Sequence, residues 1–264
     1  MASSIHREQS GAALGQRPEP GSALAGGHSL IDDLVTANHI LFHQGVLDAF
    51  GHVSARDDRD PSRFLLARNM APARVTAGDV LEFTLDGEPV DAAGRRVYLE
   101  RFIHAEIYRA RPDVMAVVHS HSPSVVPFSV SRRTPMRPIC HMAGFMGVHV
   151  PVFEIREAAG DGTDLLVTNG DLGAALARSL GQNAVVLMRG HGSTVVADSL
   201  KRVVYRAVYT EVNARAQLQA SQLGDVVYLT EAEGLKTTGA VEGQAGRAWD
   251  LWEAAARADQ WLRA

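Results

Sequence analysis

The residues in this chain best suited to chemistry are histidines placed at the ends of apolar runs. His119 and His121 follow VMAVV, and His191 follows AVVLM with Gly190 and Gly192 on either side. Residues two apart in a strand point to the same face, so His119 and His121 can aim two imidazoles at one point from positions about 6.5–7 Å apart along the chain. Neutral imidazoles about 2.0–2.1 Å from a cation suit zinc and other first-row divalent metals. An HxH pair by itself is equally compatible with hydrogen-bonded core or surface histidines, and Gly-His-Gly with a tight turn. Three histidines at two strand ends together match a three-ligand site with open positions, the arrangement of catalytic rather than structural metal centres.

Glu100 lies four residues before His104, so the two share a helix face. A carboxylate near a cation can serve as ligand, general acid or general base. From position alone it also fits a solvated acidic residue at a helix N-terminus. His52 opens a strand after Gly51, where it can line a pocket. His39 and His43 are i, i+4 on the first helix but lack the acidic partner of a protease motif, and they read as surface or packing residues. Cys140-His141 lies in an apolar stretch and reads as packing. His6, His28 and His149 join no constellation.

The elements that must position these groups can be read from periodicity. Ser29 precedes a helix in which Leu30, Leu34, Ala37, Leu41 and Val46 recur at helical spacing, with Gly51 as its stop. HVSAR, RFLLAR and VLEFTLDGEPV read as three strands of an antiparallel meander. A helix over Glu100 to Arg109 ends at Arg111-Pro112-Asp113 and leads into the strand that carries His119. DLGAALARSLG is a helix closed by Gly181, and the strand AVVLM leads to His191. A long amphipathic helix spans Leu200 to Leu223, and the stretch carrying Trp249, Trp252 and Trp261 is helical. Several connections are too short for parallel crossovers, so the expectation is a mixed α/β domain with a mainly antiparallel central sheet.

Length and composition fit one domain over residues 29–264, preceded by a mobile arm over residues 1–28 that is rich in Gly, Pro, Ser and Ala and has no apolar run. The net charge of −4 gives no general electrostatic reason to bind nucleic acid or an anionic membrane. The single cysteine, Cys140, cannot form an intrachain disulfide, which makes a cytoplasmic location the expectation.

ERFIHAEIYRARPDVMAVVHSHSPSV, beginning at Glu100, together with the later LMRGHGSTVV, resembles the class II aldolase/adducin family from about Leu30 to Leu223. The resemblance implies a three-layer α/β/α fold around a largely antiparallel sheet and a homotetramer with active sites between subunits. It also implies a divalent metal ion, Mn²⁺ or Zn²⁺, with His119, His121 and His191 as ligands and Glu100 as the catalytic carboxylate. Phosphate-cradling segments of the family's sugar-phosphate aldolases are replaced here by Gly51-His52-Val53-Ser54, Ala67-Arg68-Asn69-Met70 and Tyr98-Leu99. Bulk, an imidazole and a guanidinium stand where small donors are expected.

This altered pattern, with HMAGFMG and VYRAVYTEVNARAQLQ, resembles the decarboxylase branch of the family. That branch implies a carbon–carbon lyase of aromatic-compound catabolism whose substrate is a hydroxylated aromatic or pyridine dicarboxylate. Decarboxylation and aldol cleavage are related, because each leaves an electron pair on a carbon beside an oxygen, the charge that a nearby cation stabilises. Arg68 or Arg101 is expected to orient a substrate carboxylate, and His52 and His104 to steer substrate or proton. Tyr205 and Tyr209 on the long helix are placed to contribute across a subunit interface or to the core. An aldolase or dehydratase of an unphosphorylated hydroxycarbonyl compound, and a non-catalytic interaction module of the adducin type, are the alternatives.

Overall fold

The structure is a computed structural model that describes residues 28–263, with side chains placed over 30–259. The expected arm lies outside the described residues except for its last member, His28, which begins the first helix. That helix, α1 (His28–His43), stops earlier than the sequence implies. Gly45 takes φ +70°, and the N–H groups of Gly45 and Val46 donate to Phe42 and Leu41 carbonyls at 3.0 Å each. This is a glycine-closed helix end. Gly51 instead has φ +83° and turns the chain into the first strand.

Seven strands form one sheet: β1 (His52–Arg56), β2 (Arg63–Ala67), β3 (Val80–Thr84), β4 (Ala116–Ser120), β5 (Val152–Phe153), β6 (Val185–Met188) and β7 (Gly192–Ala197). Their order is β3-β2-β1-β4-β7-β6-β5, and every pairing is antiparallel except β5 with β6. The mainly antiparallel sheet matches the expectation. β5 and β7 do not appear in the hydrophobic pattern: the first is two residues long, and the second opens Gly-Ser-Thr, which hides its alternation. A turn at Arg189-Gly190 folds β6 directly onto β7, with Gly190 at φ +66° and the His191 N–H donating to the Met188 carbonyl at 3.0 Å.

Helices α2 (Arg101–Ala110), α3 (Val126–Val130), α4 (Arg156–Ala159), α5 (Gly170–Leu180), α6 (Leu200–Leu223), α7 (Glu231–Val241) and α8 (Ala245–Arg263) complete the described fold. α1 and α6 pack against the β1–β4–β7 region, while α2 and α5 pack on each other over the opposite face. The sheet is the middle of three layers. Its pleat sorts the two faces: Val53, Val118 and Val195 form one cross-strand row of core residues, and His52, His119 and Thr194 form the adjacent row on the other face. All six are buried. Strand alternation therefore places a polar row beneath α2.

The segment that follows β4 is held by the long helix. Glu211 accepts from the Ser122 hydroxyl at 2.6 Å and from the Ser124 hydroxyl and amide at 2.5 and 3.2 Å. Asn213 accepts from the Ile139 N–H and donates to the Arg137 carbonyl, and Gln217 accepts from the Arg137 N–H and donates to the Pro135 carbonyl. These buried polar side chains satisfy loop backbone that has no strand partner.

Candidate metal centre

His119 is the penultimate residue of β4, His121 follows just past the strand end, and His191 closes the turn before β7. Because Ser120 pairs with Ser193, the two strand ends bring the three imidazoles together. The His121 Nε2 lies 3.1 Å from the His119 Nε2 and 3.0 Å from the His191 Nε2. Glu100, the residue preceding α2, brings its Oε2 within 3.5 Å of the His119 and His191 Nε2 atoms. One ligand atom from each of these four residues lies within 4.8 Å of all the others.

The backbone decides which nitrogen each ring presents. The His119 Nδ1–H donates to the Ser193 carbonyl at 3.1 Å, and the His191 Nδ1–H donates to the Leu165 carbonyl at 2.9 Å. Both Nε2 lone pairs are thereby turned inward. Two inward lone pairs and the His121 Nε2 at hydrogen-bond distance cannot all be satisfied by hydrogens on those rings, and a shared cation relieves that conflict. Three imidazoles with a carboxylate beside them form a donor set suited to first-row divalent metals.

The four groups also perturb one another electrostatically. Burial, and then the neighbouring His119 and His191, push His121 down to about 4, so its imidazole is neutral and available as a ligand at neutral pH. Burial pushes the Glu100 carboxyl up, but the facing His119 and His191 imidazoles outweigh this and hold it well below the usual carboxylate range. Burial lowers His191, and its contact with Glu100 more than reverses the effect. The remaining Glu100 oxygen, Oε1, accepts from the Val167 N–H at 3.0 Å. One short segment thus supplies the Leu165 carbonyl and the Val167 amide to the centre. Leu165 sits at φ +70°, a left-handed conformation that a leucine seldom adopts and that marks a locally constrained backbone.

His52 and His104 also belong to this region. The His52 ring centroid is 5.1 Å from that of His119 and 4.5 Å from that of Tyr98, and its Nδ1 lies 2.6 Å from the His104 Nε2. Arg68 has its Nε on Asp79 at 2.6 Å, an ion pair separate from the cluster. Arg101 donates to the Gly87 and Tyr98 carbonyls and to Glu88 and stacks on Phe102, so its guanidinium holds the turn at Gly87. The Tyr205 and Tyr209 rings meet at a tilt of 43° with centroids 4.6 Å apart and line a different pocket with Met142, Arg247 and Trp252. The recorded hydrogen bonds of both arginines and of Tyr205, and the ring contacts of both tyrosines, go to groups other than His119, His121, His191 and Glu100.

Ser54 and Tyr98 enter the sequence reading only as members of segments that replace the family's phosphate cradle, and Tyr108, Glu211 and the Leu165–Val167 backbone were not singled out as site residues. Ser54 and Tyr108 do carry a spacing signal, since Ser54 is i+2 from His52 on a strand and Tyr108 is i+4 from His104 on a helix. The backbone contacts carry none.

Comparison with known proteins agrees with this geometry. Residues 32–218 match the family model described as Class II Aldolase and Adducin N-terminal domain. The decarboxylase tropJ of Talaromyces stipitatus is 39% identical over 241 residues, covering 83% of this chain and 90% of that protein. The 3,4-dihydroxyphthalate decarboxylase of Arthrobacter keyseri is 32% identical over 206 residues, covering 72% and 78%. Among solved structures, the L-fuculose 1-phosphate aldolase of Glaciozyma antarctica superposes with a TM-score of 0.69 at 23% identity, covering 86% of this chain and 89% of that one. The family model spans the sheet, the histidine-bearing strand ends and most of the long helix, and the chain is a member of the class II aldolase and adducin family.

Proposed function

We propose that this protein is a divalent-metal-dependent carboxy-lyase that removes CO₂ from a hydroxylated aromatic or pyridine dicarboxylate. The observation that carries the reading is the cluster of His119, His121, His191 and Glu100 in a chain whose relatives include named decarboxylases. Mn²⁺ or Zn²⁺ fits the donor set. A small-molecule dicarboxylate as substrate, a cytoplasmic homotetramer, and Tyr205 and Tyr209 serving a neighbouring subunit belong to the same reading. Among the described residues no helix is long and apolar enough to cross a membrane.

His119, His121 and His191 would hold the cation, which would supply Lewis-acid stabilisation of negative charge developing on the ring. The chain's own residues divide the rest of the work. In this reading Glu100, ionised and fixed through Oε1, takes the proton of a ring hydroxyl and returns it to the carbon that loses CO₂, a role supported by its contact with the Val167 N–H and its lowered pKa. Tyr98, buried and packed on His52, is an apolar neighbour of the centre on that side.

This side of the centre also speaks against a phosphorylated sugar. The Ser54 hydroxyl is engaged by His104 and Tyr108, and the Met70 N–H donates to the Tyr98 hydroxyl at 3.4 Å, so these two donors are already taken. Metal analysis of purified protein, together with CO₂ release from a panel of hydroxylated phthalates and pyridine dicarboxylates, tests the proposal. Cleavage of an unphosphorylated hydroxycarbonyl compound without CO₂ release would replace it with the aldolase reading.

A further inference from the structure

Behind the metal centre runs a chain of buried polar groups that does not touch the cluster's ligand atoms. The His52 Nδ1 meets the His104 Nε2 at 2.6 Å, the His104 Nδ1 meets the Ser54 Oγ at 2.6 Å, and the Ser54 Oγ meets the Tyr108 hydroxyl at 2.7 Å. His104 and Ser54 are fully inaccessible, Tyr108 is 1% exposed and His52 is 4% exposed. Both rings are buried, and their recorded hydrogen-bond partners are each other and a hydroxyl rather than a carboxylate, so both imidazoles are neutral.

Hydrogen counting then fixes the direction of the chain. Two neutral imidazoles and two hydroxyls carry one mobile hydrogen each, while the chain has three contacts, each of which holds one. One hydrogen must therefore leave the chain at an end. At the Tyr108 end, Ser54 is the one hydrogen-bond acceptor recorded for the phenol among the described residues, and leaving a buried donor unpaired is costly. At the other end, the His52 Nε2 has no partner among the described residues, and the groups acting on that ring are His119, Glu100 and His121 of the centre. The favoured arrangement runs from the Tyr108 O–H to Ser54, from the Ser54 O–H to the His104 Nδ1, and from the His104 Nε2–H to the His52 Nδ1. The remaining hydrogen sits on the His52 Nε2.

We propose that Tyr108, Ser54 and His104 lock His52 in its Nε2–H tautomer, making it a fixed hydrogen-bond donor that selects substrates presenting an oxyanion beside the metal centre. A carboxylate or ionised ring oxygen satisfies such a donor. The opposite tautomer would present a bare nitrogen and favour a neutral hydroxyl. His52 is then a specificity-determining residue, with Ser54, His104 and Tyr108 as positioning residues. Only the identity of the oxyanion rests on the decarboxylase reading.

The tautomer can be read in the ligand-free, zinc-loaded full chain by magic-angle-spinning ¹³C–¹⁵N spectra of histidine-labelled protein, with His52→Asn assigning the signals. We expect a single Nε2–H form in the wild type. Ser54→Ala frees the His104 Nδ1 to carry its own hydrogen and should give His52 as a mixture, whereas Ser54→Thr, which restores the hydroxyl, should recover the single form. An Nδ1–H form in the wild type, or a Ser54→Ala spectrum identical to wild type, would overturn the proposal. Calorimetry with 3,4-dihydroxybenzoate as probe should show about 10- to 100-fold weaker binding in metal-loaded His52→Phe, the loss of one hydrogen bond to a charged group. Unchanged affinity would also overturn it. A lost CO₂-release activity alongside an intact tautomer would count against the decarboxylase reading and leave this one standing.

Discussion

Gly192 and Ser120 meet backbone to backbone at the metal centre: a Cβ on Gly192 would lie 2.0 Å from the Ser120 carbonyl oxygen and 3.2 Å from the His121 Cα. Here β4 and β7 close on each other one residue from His121 and one residue from His191. Gly192→Ala should wedge the two ligand-bearing strand ends apart. The expected outcome is a loss of about 1–3 kcal/mol of stability together with weakened metal binding, measured by denaturant unfolding and by competitive chelation. Wild-type metal affinity in this variant would show that close backbone approach is not what aligns the ligands.

Metal removal should lower stability as well as activity, because the converging imidazoles are left without the charge that reconciles them. At a cation concentration about 100-fold above Kd, binding contributes roughly 2.7 kcal/mol, so chelated protein should melt at a lower temperature and recover when Mn²⁺ or Zn²⁺ returns. His119→Ala should lose both metal content and turnover. Turnover by verified metal-free protein would end the metal-enzyme reading.

Glu100→Gln preserves shape and the Oε1 contact with the Val167 N–H but removes the ionised oxygen that faces His119 and His191. Metal content should persist while turnover falls by about 10²–10⁴. An unchanged rate at full metal occupancy would remove Glu100 from proton handling.

Glu211 acts at a distance from the chemistry, holding Ser122 and Ser124 just beyond His121. Glu211→Ala leaves two buried or half-buried hydroxyls and an amide without their acceptor, and stability should fall by about 1–3 kcal/mol. Thermal melting with and without metal checks this, and the metal-loaded form should regain part of the loss.

His104 makes stability depend on pH. Its folded pKa is about 3, set by burial and then by neighbouring His119, against an ordinary 6.5, so below 6.5 the unfolded chain binds a proton that the folded chain refuses. The contribution is fully present above pH 6.5 and is lost progressively as pH falls toward 3, with a slope on the order of 1 kcal/mol per pH unit. Urea titrations of metal-free wild type and His104→Gln across that window should show a shallower pH slope in the variant.

Much of the fold is legible because it rests on local patterns. The apolar runs before His119 and His191 are strands for the reason periodicity gives, and α2, α5 and α6 follow from amphipathic spacing and glycine stops. α1 is misjudged at its end because Gly45 and Gly51 look alike in sequence, and only the backbone hydrogen bonds at Gly45 distinguish a helix stop from a strand entry. α7 (Glu231–Val241) escapes notice because its residues carry no strong apolar stripe, although its Thr230–Glu233 capping box is written in the chain.

The sequence by itself pointed to His119, His121 and His191 as a candidate cluster, because a strand's two-residue repeat and a strand-end histidine are local facts, whereas the class of chemistry and the part of Glu100 came from the family resemblance. The tertiary structure decided which nitrogens point inward, since those hydrogen bonds come from Ser193 and Leu165 carbonyls far along the chain from His119 and His191 or across a strand pair. It also decided that Arg101 belongs to a turn and that His52 is tied through His104 to Ser54 and Tyr108. Hydrogen-bond direction depends on what lies opposite in space, and that information exists only once the sheet has paired and α2 has docked upon it.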